Sequence, residues 1–188
     1  MYPNSAHFWN RKLIKNKKII SKSPIFIHKN KFVIHELKEI HGKLLDVGFG
    51  YGFIEELITN FNLKISLYGI DISDFAVNSA KNKFKGIFKK ANIYKIPYNN
   101  NSFDCVLALD ILEHLEPAKI QTALLEIKRV LKGDGLFIVS VPLNESRKDK
   151  SLNGHLRNYN AITIRRELTR SGFGIYKEKY LYAFKDHY

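Results

Sequence analysis

Leu44-Leu45-Asp46-Val47-Gly48-Phe49-Gly50-Tyr51-Gly52 is the stretch on which the reading of this chain turns. Lys43–Val47 is a short apolar run and reads as a strand; Phe53–Phe61 reads as a helix; the glycines lie between them. Glycine tolerates positive φ and leaves bare backbone against which a ligand can press. The helix that follows offers N–H groups that no helical carbonyl satisfies. A strand, a glycine turn and a helix in that order form the first unit of an α/β domain with a ligand crevice.

Working outward, the same alternation repeats. Strands are expected at Lys64–Ile70, Gly86–Lys90, Phe103–Leu109, Leu136–Val141 and near Ile175–Leu181. Helices are expected at Asp74–Phe84 with Ser73 as cap, at Pro117–Leu131 and from Asn160 to Ser171. Cys105-Val106-Leu107-Ala108-Leu109 and Leu136-Phe137-Ile138-Val139 are continuous apolar runs, as strands covered on both faces require. The fold expected is α/β, a doubly wound, mostly parallel sheet with helices on both faces. Upstream, Pro3 and Pro24 read as breakers, so residues 1–30 are expected to form an irregular basic arm and 31–188 the folded domain, beginning with a short helix at 31–41.

Spacing distinguishes the ligand. A dinucleotide turn follows G-x-G-x-x-G/A, whereas here the series is G-x-G-x-G and Phe53 occupies the third small position. Asp46, just before the glycines, would repel a pyrophosphate but suits a ligand with a cationic amine. Asp71 ends the second strand, where a carboxylate accepts both ribose hydroxyls of an adenosine, and Ile72 beside it offers an apolar face to adenine. S-adenosylmethionine is a ligand of that kind; the alternative for Asp71 is a helix cap.

From Leu44 to Pro142 the chain resembles the class I S-adenosylmethionine-dependent methyltransferase family, in the branch that includes ubiquinone- and menaquinone-pathway and other small-molecule enzymes. Beyond the glycine turn and Asp71, the resemblance rests on Ala91-Asn92-Ile93 with Ile96-Pro97-Tyr98, and on Ser102–Val106 running into Leu109-Asp110-Ile111-Leu112-Glu113-His114-Leu115. It closes with Glu126–Gly135. The resemblance implies that Gly48, Phe49, Gly50 and Gly52 form the turn around the methionine part, with Asp46 near its amine. It implies Asp71 and Ile72 at the ribose and adenine, Asn92 and Ile93 at the adenine, and Leu109 and Asp110 on the floor near the sulfonium. S-adenosylhomocysteine would be the product. Many relatives have Cys in place of Phe49 and an acid in place of Asn92. They also finish the sheet with an antiparallel strand, for which only seven residues remain after Leu181; it is expected to be short or missing.

His114, beyond the fourth strand, and His155, in Gly154-His155-Leu156-Arg157-Asn158-Tyr159, are the candidates for catalytic roles near the acceptor. Each has a plainer reading: His114 as a packing or capping residue, His155 as part of a loop anchored by Arg157 and Tyr159. Trp9 and Tyr2 are placed to close over the cofactor. No metal is expected, since Cys and His do not cluster in a zinc-like pattern. The site after the fourth strand reads Leu109-Asp110-Ile111-Leu112 and lacks the Asn/Asp-Pro-Pro-aromatic motif of amino-directed base methylation, and Cys105 lacks the Pro-Cys context of pyrimidine C5 chemistry.

The 188 residues carry a formal charge of +13, with eight Lys or Arg and no acid from Arg11 to Lys31. An AT-rich genome gives such a composition whatever the function; an acidic acceptor, nucleic acid included, is the other reading. One cysteine excludes an intrachain disulfide, and no apolar run reaches the roughly 20 residues of a bilayer span. With no signal-peptide pattern, a cytoplasmic setting is expected; nothing in the pattern sets an oligomeric state. Methyl transfer to a small molecule or metabolite is the leading expectation. An RNA- or protein-directed enzyme using the basic arm and a catalytically silent binding module are the alternatives.

Overall fold

The computed structural model describes residues 4–20 and 23–181. Five parallel strands form one sheet: β1 (Gly42–Val47), β2 (Ile65–Asp71), β3 (Ile87–Lys90), β4 (Phe103–Leu109) and β5 (Leu131–Ser140), in the order β3-β2-β1-β4-β5. The strand order reverses between β1 and β4, which opens a crevice at their carboxyl ends. The doubly wound expectation is met. Cys105, buried in β4, has its thiol pushed up by burial and is inert.

Side-chain alternation along the central strands divides the core. Leu45, Val47, Val106 and Ala108 face α5 (Ile120–Val130), whose Ala123, Leu124 and Ile127 are fully buried. Leu44, Cys105 and Leu107 face α2 (Pro24–Leu37) and α3 (Phe53–Asn60). Farther along the sheet, α4 (Asp74–Lys83) packs Ala76, Val77 and Ala80 on Phe88 and Phe49. Ser73 caps α4 as expected, its hydroxyl accepting from the Ala76 N–H at 3.1 Å. Asn160 caps α7 (Ala161–Arg170) in the same way, accepting from Thr163 N–H at 2.8 Å.

Three local expectations are corrected. Residues 6–20 form a helix, α1 (Ala6–Ile20), and α2 begins at Pro24 rather than near 31, so the boundary expected at residue 30 falls inside a helix. Pro24 was read as a breaker, but it occupies the first turn of α2, where a missing N–H costs nothing. A second helix, α6 (Arg147–Asn153), stands where a loop was expected; Ser146 caps it, accepting from Asp149 N–H, and Gly154 ends it at φ 75°. Residues 175–181 form no strand. Their side chains instead reach sideways, Lys177 to Glu36 at 2.8 Å and Glu178 to Arg165, and Tyr176 is 84% exposed. Among the described residues β5 is therefore the sheet's edge; the final antiparallel strand, expected to be short or missing, would fall at 182–188, outside the described residues.

The Gly133-Asp134-Gly135 segment expected to turn the chain into the fifth strand is looped out within it. Phe103 faces Leu131 and Cys105 faces Leu136, so the four residues Lys132–Gly135 stand opposite Asp104 alone. No helix among the described residues is long and apolar enough to cross a membrane.

Gly69, in the middle of β2, makes room for two rings. A Cβ there would stand 2.7 Å from ring atoms of both Phe49 and Phe88. Gly69→Ala is expected to cost ~1–3 kcal/mol through overpacking, measured as a lowered urea midpoint; an unchanged midpoint would show that the two rings move aside freely.

Candidate functional site

The crevice at the switch point is about 1910 Å³, large because it continues along the uncovered edge of β5. Its deep end is built by the turn after β1. Gly48, Gly50 and Gly52 all hold positive φ (75°, 54° and 73°), which side chains with a Cβ rarely adopt. Gly48 also packs so closely beneath Ile111 that a Cβ would lie 2.3 Å from its Cδ1. The backbone here is bare and cannot be otherwise.

Asp71 joins this turn to the tip of β2. One carboxylate oxygen accepts from Gly50 N–H at 3.0 Å and the other from Ser73 N–H at 2.8 Å. It is not the cap of α4; Ser73 is. Each Asp71 oxygen keeps a further lone pair, and burial raises its pKa despite these donors. Ile72, Ile93 and Leu109 add apolar surface to the same wall. Asn92 lines it too, with its amide oxygen accepting from Tyr94 N–H at 3.1 Å in a local turn.

Three residues expected at the site take supporting positions. Asp46 is 3% exposed and lies behind the turn, against the fully buried Glu55 of α3. Burial pushes Asp46 up to about 7, with the Glu55 contact lowering it and the Asp71 charge adding to the rise. Burial and then Asp46 push Glu55 well above the carboxylate range. Burial thus biases both carboxyls toward their neutral forms. Gly52 faces Phe84, and Phe49 lines the crevice but turns its ring into the core, 5.3 Å from Phe88. The space left by Gly69 accommodates the Phe49 ring where many relatives have Cys.

At the other end stands Asp110, with φ 56°, a strained value that Asp tolerates better than most residues. Burial alone would raise its pKa. The Lys29 ammonium paired with it and the Ser140 hydroxyl outweigh this and hold it below the usual range. Lys29 comes from α2, in a segment read as an irregular basic arm, and no sequence signal marked it.

His114 and His155 are brought together, ring centroids 4.6 Å apart, although 41 positions separate them in the chain. Main-chain bonds do this. The Glu113 carbonyl accepts from Leu156 N–H at 2.9 Å and Arg157 N–H at 3.1 Å. Asn4 donates to the carbonyls of His114 and Gly154 at 3.0 and 3.1 Å. Arg157 and Tyr159 anchor the loop to Glu167 of α7, as the plainer reading had it. Trp9 stands edge-on to His114 at 4.7 Å; Tyr2 lies outside the described residues. Burial and then His155 push His114 down to about 3, so it is a neutral imidazole at physiological pH.

With this geometry in view, comparison with known proteins is informative. A family model described as "Methyltransferase domain" matches residues 45–139, from β1 through β5. A protein of Methanocaldococcus jannaschii is 39% identical over 103 residues, 55% of this chain and 42% of its own length. A protein of Mycobacterium tuberculosis named probable S-adenosylmethionine-dependent methyltransferase is 28% identical over 136 residues, covering 69% of this chain and 48% of that one. The chain thus spans about half the length of these curated relatives. A crystal structure of a SAM-dependent methyltransferase from Archaeoglobus fulgidus superposes with a TM-score of 0.69 at 20% identity, covering 87% of this chain and 74% of that one. The last likeness is one of fold.

The buried acid pair makes stability depend on pH. Free Asp and Glu ionise near pH 4, whereas folded Asp46 keeps its proton to about 7. Between those values the folded state binds more protons than the unfolded one, so stability falls as pH rises. Glu55→Gln leaves an amide able to donate to Asp46. It should flatten that slope and raise the melting temperature above that of the parent near pH 7.5; parallel curves for the two proteins would place the pH dependence elsewhere.

Proposed function

Since this chain belongs to the methyltransferase-domain family, within the class I S-adenosylmethionine-dependent enzymes, we propose that it methylates a small molecule or metabolite. The observation that carries the cofactor half of this reading is the Gly50–Asp71 junction, where bare backbone and a carboxylate with spare lone pairs face one crevice. When bound, S-adenosylmethionine supplies a methyl carbon activated by its sulfonium, and S-adenosylhomocysteine leaves.

The residues present fit that group. Gly48 and Gly50 would hold the aminoacyl tail along their backbone, and Asp71 would accept from the ribose diol. Ile72, Ile93 and Asn92 would flank the adenine. Leu109 and Asp110 would floor the reacting end. Asp46 would act from behind the turn, through its charge, while Phe49 and Gly52 hold the turn's shape. His114 and His155 would stand on the acceptor side. The chain's main task is then alignment, and holding two reactants in line is worth ~7–11 kcal/mol.

What supports a small acceptor is the placement of the basic N-terminal segment. Lys12 donates to the Asn153 carbonyl at 2.8 Å and Lys29 pairs with Asp110, so both ammonium groups turn inward. Trp9, Phe26 and Lys29 line the crevice from above. These helices make a cap over a pocket. For a nucleic-acid-directed enzyme, affinity for RNA would fall steeply with salt; little RNA binding at any salt is the expected result.

Titration calorimetry with S-adenosylmethionine and S-adenosylhomocysteine tests the cofactor reading. Asp71→Ala should weaken both by about 10- to 100-fold, as it removes a charged acceptor of two hydroxyls, with circular dichroism confirming that the variant is folded. No binding by the parent protein would favour a silent binding module, and unchanged affinity in the variant would move the adenosine site.

A further inference from the structure

The acceptor end of the crevice contains an arrangement that methyl transfer does not call for. Glu113, in the short 3₁₀ turn Leu112–His114, is 1% exposed, and neither of its carboxylate oxygens has a hydrogen-bond partner among the described residues. An uncompensated buried carboxylate is costly and needs either a proton or a cation. Lys12 is close enough to feel its charge, but its ammonium is committed to the Asn153 carbonyl and to the face of Trp9.

Two imidazoles flank that carboxylate. Glu113, His114 and His155 each offer one donor atom, and these atoms all lie within 4.8 Å of one another. Both rings are oriented by their other nitrogen. His114 Nδ1 lies 3.3 Å from the Gly154 carbonyl, which can only accept, so Nδ1 carries the proton and Nε2 keeps its lone pair. His155 Nδ1 lies 2.5 Å from the Glu145 carboxylate, which sets its Nε2 free in the same way. A ring nitrogen bonded to a backbone carbonyl on one histidine and to a carboxylate on the next is the outer arrangement that accompanies metal-ligating histidines.

We infer that Glu113, His114 and His155 form a binding site for one divalent transition ion of borderline softness, zinc or a near relative. Two imidazoles and one carboxylate suit such an ion better than magnesium or calcium, which take oxygen donors. Donors around a four-coordinate zinc ion stand roughly 3.3 Å apart, so small side-chain rotations close the site. Three protein ligands leave a position open, and since all three residues line the crevice, that position faces the acceptor space. The site stands on its own geometry and does not require the methyl-transfer reading.

The test is a titration of metal-stripped protein with Co²⁺, followed by its visible d–d absorption, and with Zn²⁺ by calorimetry and competition. One equivalent of each should bind, zinc should displace cobalt, and zinc should raise the melting temperature. Glu113→Gln, His114→Ala and His155→Ala should each abolish the tight equivalent. Glu145→Gln, which touches no ion, should weaken it by about 10- to 100-fold and is the gentler variant should the others fold poorly. Asp71→Ala should leave metal binding intact while losing S-adenosylmethionine, which separates this site from the cofactor reading. Absence of stoichiometric binding, or cobalt spectra unchanged by His155→Ala, would overturn the inference and leave Glu113 as a buried neutral acid.

Discussion

One hydrogen bond ties the functional end of this molecule together: the Gly50 N–H donating to the Asp71 carboxylate. It binds the turn after β1 to the tip of β2, so the left-handed path of three glycines is held from the neighbouring strand. The same carboxylate takes the Ser73 N–H and thereby sets where α4 begins. Ser73 in turn donates its hydroxyl to Asn10 of α1 at 2.6 Å, which seats the N-terminal helix on the sheet. A single buried acid thus organises turn, helix start and cap, and it costs desolvation that the backbone donors offset.

Behind that turn sit two further acids, Asp46 and Glu55, buried with no cation among the described residues. Burial favours the neutral form of both. The other end is built on a different principle: Lys29 pairs with Asp110, and the rings of His114 and His155 stand beside Glu113. The two ends of one crevice therefore present different chemistry.

The N-terminal segment changes what its charge means. Read as a string, its prolines and its run of lysines and arginines suggested an irregular arm. Folded, α1 and α2 bury Leu13, Val33, Ile34 and Leu37 and close over the pocket. Their helical period was legible in principle, since apolar residues recur at Phe8, Trp9, Lys12 stem, Leu13 and again at Phe26, Val33 and Leu37. Proline and charge obscured it.

The sequence by itself determined the sheet, the glycine turn, Asp71 and the two caps, because these depend on short-range features: apolar runs, φ-permissive glycines and side chains that bond within a few residues. Phe103–Leu109 as a strand needed nothing beyond its own seven residues. Tertiary structure alone decided which residues meet across long stretches of chain. Lys29 with Asp110, and Glu113 and His114 with His155, are pairings that no local pattern encodes. Each arises because parallel strands joined by crossovers bring the ends of distant segments to one edge, and only there do burial and the lack of water turn ordinary acids and histidines into a site.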